Sequence, residues 1–259
     1  MVTDFAGKTA LITGAGRGIG RAAALGLADA GAGLILLARS DGQLAETQAM
    51  LLARGTAAEH IRVVPADLGN EERRSRAVQT ALVAGRVDIL VNNAATVEPL
   101  GPTAAVPAAE LRRAFELNVV APAALTAAVL PGMLDAGWGR IVNVSSGIVA
   151  RPDSMVRFNA YATTKAALEA HTVNLAAELR GTGVTVNAYR PGGVDTAMQA
   201  WIRQQDPERI GTAAHERFNQ NFTEGTLITP EQSAAVLIAD LGADDTGVIW
   251  DVSTPLARS

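Results

Sequence analysis

The sequence predicts an α/β protein whose mainly parallel, seven-stranded sheet is covered by helices on both faces. Short apolar runs typical of buried parallel strands recur along the chain, and Ala/Leu-rich helical patterns fill the intervals between them. In addition, no internal repeat or Pro/Gly/Ser-rich linker divides the 259 residues, so we expect one domain over residues 1–259. The predicted strands lie near residues 8–13, 33–38, 61–65, 87–92, 139–145, 183–190 and 246–252.

The composition argues against several kinds of site and partner. The chain has no cysteine, and its three histidines, His60, His171 and His215, lie far apart in sequence, so we expect no disulfide, thiol nucleophile or metal site. A net charge of −4 without a basic stripe argues against nucleic acid as a partner. The N-terminus shows no targeting pattern and no apolar stretch suggests a membrane span, which predicts a soluble, cytoplasmic protein.

A glycine-rich turn follows the first predicted strand, Thr9–Ile12, and precedes a helical pattern over residues 21–30. Glycines in such a turn adopt positive φ and let backbone N–H groups approach a pyrophosphate at the helix N-terminus. The spacing is not a true G-x-G-x-x-G, and the Lys-Ser/Thr ending of a triphosphatase loop is missing. An ordinary tight turn is the alternative. The turn residues are Gly14, Ala15, Gly16, Arg17, Gly18, Ile19 and Gly20.

The ends of the next strands carry the residues that suggest which nucleotide binds. The second strand ends in Arg39 and Ser40 rather than in an acid, and Arg17 lies within the glycine turn. Two guanidinium groups would neutralise a 2′-phosphate, so NADP(H) is preferred over NAD(H), although both arginines could be solvated helix caps. The third strand is followed by Asp67 and Leu68, where the carboxylate would reach the adenine or cap a helix.

Tyr161 and Lys165 carry the catalytic prediction, because they lie four residues apart on one helix face. A nearby ammonium is expected to lower the tyrosine pKa from about 10, so that the hydroxyl can exchange a proton with a carbonyl oxygen. Ser146, at the end of the preceding strand, would hold the same oxygen. A lone Tyr-x-x-x-Lys also occurs by chance, so this prediction depends on the other motifs.

These motifs, in this order, resemble the short-chain dehydrogenase/reductase family over residues 8–252, which implies a Rossmann-like doubly wound fold. The family's strand-end motif is matched by Asn92-Asn93-Ala94, with Ala95 where glycine is more usual. The resemblance implies a catalytic set of Asn118, Ser146, Tyr161 and Lys165, with Asn118 organising a water and Ser145 as the alternative serine. It also implies pairing through the helices that carry Asn118 and Tyr161, hence a homo-oligomer, either a tetramer or a dimer.

Motifs and resemblance together assign the cofactor contacts. Residues 191–196 match the family segment that receives the nicotinamide carboxamide, through the backbone of Val194 and the hydroxyl of Thr196. The predicted cofactor contacts are Gly14, Gly16, Arg17, Gly18, Ile19, Gly20, Arg39, Ser40, Asp67, Leu68, Asn93, Ala94, Tyr161, Lys165, Pro191, Gly192, Val194 and Thr196.

The substrate pocket is the least determined part of the sequence. We expect a lid at about residues 197–225, whose apolar stripe either lines the pocket or packs on the body. Four aromatic residues near the nicotinamide suggest an apolar carbonyl compound or secondary alcohol, while three arginines would select an anion or lie exposed. These residues are Phe158, Trp201, Phe218 and Phe222, and Arg151, Arg157 and Arg203.

The predicted function is an NADP(H)-preferring oxidoreductase that interconverts a ketone or aldehyde and an alcohol, with Tyr161 as general acid/base. Alternatives are an NAD(H)-dependent alcohol dehydrogenase, an epimerase or dehydratase that uses its nicotinamide transiently, and an NADP(H)-binding sensor without turnover. The complete set of Ser146, Tyr161 and Lys165 argues against a sensor, and the lack of an evident C-terminal sugar-binding domain argues against an epimerase.

Overall fold

The computed structural model describes residues 4–83 and 85–253, so the ends of the predicted domain lie outside the described residues. It confirms the predicted α/β class, with seven parallel strands in one sheet. The strands are β1 (Thr9–Thr13), β2 (Gly33–Ala38), β3 (Ile61–Pro65), β4 (Ile89–Asn92), β5 (Gly139–Val144), β6 (Val184–Arg190) and β7 (Ile249–Asp251).

The strand order is β3-β2-β1-β4-β5-β6-β7, so the direction of winding reverses between β1 and β4. In open parallel sheets, ligands bind beyond the carboxyl ends of the strands at such a switch point. The glycine turn after β1 and the Asn92–Asn93 pair at the end of β4 therefore lie side by side at the expected binding edge.

Ten α-helices lie in the described part of the chain. They are α1 (Gly18–Asp29), α2 (Asp41–Ala53), α3 (Glu71–Leu82), α4 (Ala108–Phe115), α5 (Ala121–Asp135), α6 (Asn159–Glu178), α7 (Ala197–Arg203), α8 (Pro207–Ile210), α9 (Thr212–Thr223) and α10 (Pro230–Leu241). Side chains alternate across the strands, so each face of the sheet has its own core. On β1, Ile12 packs with α1, α2 and α10, whereas its neighbour Leu11 packs with α3, α5 and α6.

Strand positions agree with the sequence prediction to within one residue, except at two strand starts. The fourth strand begins at Ile89 rather than near residue 87, and the seventh begins at Ile249 rather than near residue 246. β7 is the edge strand and pairs only with β6 over three residues. Because β7 is paired on one side only, it is shorter than the apolar sequence pattern that predicts it.

One helical stretch corrects the expectation that no segment is long and apolar enough to span a membrane. Helices α4 and α5 join through a π-helical turn, Glu116–Val120, into a helix over Ala108–Asp135 that contains an 18-residue window of mean hydropathy 1.7. This long helix was not predicted from the sequence because two prolines and several polar residues interrupt the apolar pattern. Leu125, Val129 and Met133 pack in the core beside the sheet, and a core helix of a soluble fold passes the same test of length and composition.

The segment predicted as a lid contains α7, α8 and α9. Phe218 on α9 is 6% exposed and stacks on Phe158, with ring centroids 5.8 Å apart, so this apolar stripe packs on the body of the domain. Whether the segment moves as a lid stays a prediction. On α6, one of the two helices expected to pair subunits, Leu168, Leu175 and Ala176 are buried in the domain, whereas Val173 is 46% exposed.

Candidate active site

A cavity of about 1030 Å³ opens at the carboxyl ends of the strands, where the switch point lies. Most of the residues predicted from the sequence line it. They are Gly14, Gly16, Arg17, Gly18, Ile19, Arg39, Ser40, Leu68, Asn93, Ala94, Ser146, Tyr161, Lys165, Pro191, Gly192, Val194 and Thr196. Three predicted residues, Gly20, Asp67 and Asn118, are not among the lining residues.

The glycine turn has the geometry of an anion cradle. Gly14 and Gly18 adopt φ of +67° and +54°, a region that other residues rarely enter. Helix α1 begins at Gly18 with no side chain capping its first N–H groups and no acid in its first turn. Uncapped N–H groups at the wall of a cavity attract a phosphate group. The turn therefore fits the pyrophosphate of a dinucleotide.

Gly20 lies behind the glycine turn and is not among the residues that line the cavity. A Cβ at this position would collide with the backbone carbonyl of Gly14 and lie 2.5 Å from the side-chain amide of Asn93. Gly20 thus allows α1 to pack closely against the end of β1 and does not touch the cavity. Its predicted contact with the cofactor stays a prediction.

We expect Gly20→Ala to lower the free energy of unfolding by about 1–3 kcal/mol, because the backbone must shift to admit the methyl group. The same shift would widen the cradle and weaken nucleotide binding. Gly42→Ala is the matched control, since a Cβ at Gly42 in α2 would meet nothing within 4 Å and should be neutral or slightly stabilising. Urea unfolding and nucleotide titration measure both effects, and equal behaviour of the two variants would contradict the packing argument.

Arg17 and Arg39 are both exposed at the cavity wall, and neither forms an ion pair within residues 4–83 and 85–253. Their guanidinium groups are thus available to a ligand. Ser40 lines the cavity beside them, and its hydroxyl also caps α2 by accepting from the backbone N–H of Gln43 at 3.3 Å. Ser40 thus caps a helix at a position that also faces the cavity.

Asp67 forms a local turn. Its carboxylate accepts from the backbone N–H of Gly69 at 3.1 Å, while the cap of α3 comes from Asn70. Asp67 is not among the residues that line the cavity, and its predicted contact with the adenine stays a prediction. Leu68, its neighbour, does line the cavity.

Asn93 joins the ends of β1 and β4. Its side-chain amide donates to the carbonyl of Thr13 at 2.8 Å, and the backbone N–H groups of Asn93 and Ala94 donate to the Thr13 hydroxyl at 2.8 and 2.9 Å. Asn92 points into the core, where its amide donates to Asn143 at 2.9 Å. The asparagine pair thus fixes the floor of the cavity, with Asn93 and Ala94 on its surface.

The two serines after β5 have different partners. Ser145 is 2% exposed and donates to the carboxylate of Glu169 at 2.6 Å. The hydroxyl of Ser146 hydrogen-bonds to Tyr161. Ser146 is therefore the serine whose hydroxyl adjoins the tyrosine, as the choice over Ser145 requires.

Tyr161, Lys165 and Glu169 form one buried row on α6, with successive residues four positions apart. The Lys165 ammonium lies 5.8 Å from the centroid of the Tyr161 ring and donates to the carbonyl of Val144 at 2.6 Å. Glu169, 5% exposed, accepts two hydrogen bonds from Arg190 at 2.9 and 2.8 Å. Glu169 and Arg190 were not predicted from the sequence; for Glu169, the i, i+4 spacing from Lys165 was the available signal.

The pKa of Tyr161 shifts in the direction opposite to the sequence prediction. Burial raises the pKa of Tyr161, and the hydrogen bond from Ser146 lowers it only in part. Burial also lowers the pKa of Lys165 to about 8, against the opposing effect of the Glu169 carboxylate. The protein alone thus favours a neutral phenol, which is the protonation state of a proton donor.

Asn118 lies behind the cavity wall in the π-helical turn, with no exposed surface. Its side-chain amide donates to the Thr96 carbonyl at 2.8 Å and to the Thr164 hydroxyl at 3.0 Å, while its oxygen accepts from the Thr96 N–H at 2.9 Å. The amide donors are used by these contacts, so the side chain of Asn118 ties the loop after β4 to α6. Its predicted role in organising a water stays a prediction.

The segment after β6 forms the opposite wall. Gly192 has φ of +78°, and a Cβ there would lie 2.6 Å from the Val252 side chain. Val194 forms a parallel bridge with Ile228, and Thr196 caps α7. Gln199 also lines the cavity, and its buried side-chain oxygen has no hydrogen-bond partner among the described residues. An unpaired buried acceptor at this wall fits a polar ligand group with an N–H donor.

Only two of the seven candidate substrate residues line the cavity. Among the four aromatics, only Phe218 lines the cavity, because Phe158 and Trp201 pack behind it and Phe222 is 50% exposed under Arg203. Among the three arginines, only Arg151 lines the cavity. Arg157 donates to the backbone of Glu208, and Arg203 approaches Asp195 at 3.7 Å.

Comparison with known proteins assigns this arrangement to a class. A family profile described as short chain dehydrogenase matches residues 8–207. The chain is 36% identical over 212 residues to the ketoacyl reductase HetN of Nostoc sp., covering 81% of this chain and 72% of that protein. The L-sorbose reductase of Gluconobacter frateurii, complexed with NADPH and L-sorbose, superposes with a TM-score of 0.86 at 26% identity over 100% of both chains. A structure of NAD⁺-bound xylitol dehydrogenase gives a TM-score of 0.82 at 26% identity, covering 95% of this chain and 98% of that one.

The fold and the site thus define an oxidoreductase that uses a nicotinamide cofactor. The chain belongs to the short-chain dehydrogenase/reductase family. The solved relatives bind NADPH in one case and NAD⁺ in the other, so the class of cofactor is shared and the choice between the two differs among them.

Proposed function

We propose that this protein is an NADP(H)-preferring carbonyl reductase or alcohol dehydrogenase, with Tyr161 as its general acid/base. The observation that carries the proposal is the buried row of Tyr161, Lys165 and Glu169, which meets the Ser146 hydroxyl at a cavity whose far end is an anion cradle. A carbonyl or alcohol in this cavity, beside Tyr161, would meet two hydroxyl groups and an ammonium group.

Each side chain has a distinct role in the proposed reaction. In the reduction direction, Ser146 donates a hydrogen bond to the carbonyl oxygen, and Tyr161 transfers its phenolic proton to that oxygen as the alcohol forms. When bound, the nicotinamide cofactor supplies the hydride that reduces the carbonyl carbon. The Lys165 ammonium stabilises the phenolate left on Tyr161. In the oxidation direction the same groups work in reverse.

Lys165 must remain charged for this role, and Glu169 favours its charged form. Because the pKa of Lys165 is about 8, its ammonium dominates below that pH and is lost above it. Removing the Glu169 charge lowers the pKa of Lys165 further, so Glu169→Gln should move the alkaline limb of the kcat/KM profile toward lower pH.

A pH profile with an exposed acid of the same helix as control tests this expectation. Glu178→Gln removes one charge from the end of α6, where the side chain is exposed, and should leave the alkaline limb in place. Identical alkaline limbs for Glu169→Gln and the unmodified protein would exclude Glu169 as the group that keeps Lys165 charged.

The preference for NADP(H) is supported by Arg17 and Arg39, whose guanidinium groups project at the end of the cavity bordered by Ser40 and have no acidic partner in the part of the chain described. A 2′-phosphate would receive charge-assisted hydrogen bonds there, and a 2′-hydroxyl would not.

The homo-oligomeric state and the cytoplasmic location stay predictions from the sequence and the family.

A further inference from the structure

The charge of the cavity wall is strongly one-sided. Five basic residues line it, against a single acid, Asp251. The carboxylate of Asp251 accepts hydrogen bonds from the backbone and side chain of Ser253, at the β7 end of the cavity. The basic residues are Arg17, Arg39, Arg151, Lys165 and Arg217.

The proposed function assigns a role to three of these five basic residues and no role to the other two. Arg17 and Arg39 serve the nucleotide, and Lys165 serves the tyrosine. Arg151 and Arg217 remain, and neither forms an ion pair with another described residue. Like charges gathered in a cleft with low-dielectric walls attract ions of opposite sign.

Both remaining arginines border the substrate half of the cavity, meaning the part formed by Ile148, Met155 and Phe218, which pack in the same cluster as Tyr161. Arg151 follows Ile148 closely, and its backbone N–H donates to the Ile148 carbonyl at 3.2 Å. The Arg217 guanidinium lies 5.9 Å from the centroid of the Phe218 ring, on the helix that packs against the N-terminal end of α6.

Helix α9 presents a second donor beside Arg217. Asn221 lies four residues later on the same helix and also lines the cavity, so the two side chains share one face. A guanidinium group binds a carboxylate or phosphate through two parallel hydrogen bonds, and an amide adds a third donor. The substrate half therefore combines an apolar wall with guanidinium and amide donors at its edge.

Resting on the proposed function, we propose that the substrate of this site carries an oxyanion that Arg217 and Arg151 bind. The substrate class is a carbonyl compound with an apolar body and a terminal anionic group, or the alcohol derived from it. Arg151, on the loop after β5, and Arg217, on α9, would hold the anionic group from two different elements of the cavity wall.

The test compares keto acids with their own primary amides, which match them in size and differ in charge. A series of 4-oxo, 5-oxo and 6-oxo acids varies the distance between carbonyl and anion, and a ketone phosphate ester of similar length distinguishes phosphate from carboxylate. We expect kcat/KM for the acid or the phosphate ester to exceed that of the amide by at least about tenfold at the best length. Raising the salt concentration should weaken this preference.

Arg217→Gln and Arg151→Gln should each reduce the ratio of anionic to neutral kcat/KM, because the ratio cancels any common effect on folding or cofactor binding. Arg180→Gln is the matched control, since it removes the same charge from an exposed position outside the cavity and should leave the ratio unchanged. Equal kcat/KM for acids, phosphate ester and amides at every length, or ratios insensitive to both cavity variants, would overturn the proposal.

A binding experiment separates this proposal from the proposed function. Calorimetric titration of saturated carboxylic acids and their amides into the NADP⁺-loaded protein needs no turnover. If no carbonyl compound is reduced but the acid binds more tightly than the amide, and Arg217→Gln removes the difference, the anion site stands and the oxidoreductase assignment fails. If ketones are reduced and acid and amide bind equally, the anion site fails alone.

Discussion

Replacing Tyr161 by phenylalanine should reduce kcat for NADPH-dependent ketone reduction by about a hundred- to ten-thousandfold. The variant keeps the ring that packs with Ile148 and Phe218 and loses only the hydroxyl that Ser146 contacts. Because the phenolic hydroxyl of Tyr161 is the group that transfers the proton in the proposed reaction, the variant lacks the proton donor beside Ser146. Nucleotide binding should remain, which fluorescence titration with NADPH can check.

The chain offers a matched control for this substitution in Tyr189, its other tyrosine. Tyr189 is fully buried, and its hydroxyl donates to the Ser233 carbonyl at 2.7 Å, away from the cavity lining. Tyr189→Phe should cost about 1 kcal/mol of unfolding free energy and lower Tm by a few degrees, with kcat close to that of the unmodified protein. Retained turnover in Tyr161→Phe would refute the assignment of the proton donor.

Replacing Arg39 by aspartate should shift cofactor preference from NADP(H) toward NAD(H). Loss of a charge-assisted hydrogen bond to the 2′-phosphate costs about 1.5–3 kcal/mol, or roughly ten- to a hundredfold in the ratio of kcat/KM values. The introduced carboxylate also repels the phosphate and can accept from a ribose hydroxyl. Adding Arg17→Gln should extend the shift, since both side chains border the same end of the cavity.

Arg73→Asp, an exposed arginine of α3 outside the cavity lining, makes the same change of charge as control and should leave the cofactor ratio as it is. The measurement is kcat/KM for NADPH and NADH with one ketone at fixed ionic strength. An unchanged ratio in Arg39→Asp would show that Arg39 is a solvated side chain, which was the alternative interpretation of the sequence.

Local patterns were enough to predict the sheet and the nucleotide cradle. Apolar runs such as Leu34–Ala38 are typical of buried parallel strands, and a glycine-rich turn tolerates the positive φ that Gly14 and Gly18 adopt. The catalytic row followed from the four-residue spacing of Tyr161 and Lys165, together with the family resemblance. For these parts, sequence neighbours determine the structure.

The remaining features depend on contacts between distant segments, so no local pattern reveals them. Asn118 is buried because Thr96 and Thr164 take up its amide, and Phe158 lies behind the cavity because Phe218 stacks on it. Arg217 lines the cavity because of the way α9 packs on the domain, although the sequence of α9 is typical of an exposed helix. The raised pKa of Tyr161 likewise reflects burial by several elements, which outweighs the opposing hydrogen bond from Ser146.

The most direct test of the account is NADPH oxidation, followed by absorbance, across a panel of aromatic, aliphatic and anionic ketones, with Tyr161→Phe and Tyr189→Phe assayed in parallel. We expect ketone-dependent release of NADP⁺ that Tyr189→Phe retains and Tyr161→Phe loses. NADPH binding without turnover of any ketone, and without NADP⁺-dependent oxidation of the corresponding alcohols, would contradict it and favour a cofactor-binding sensor.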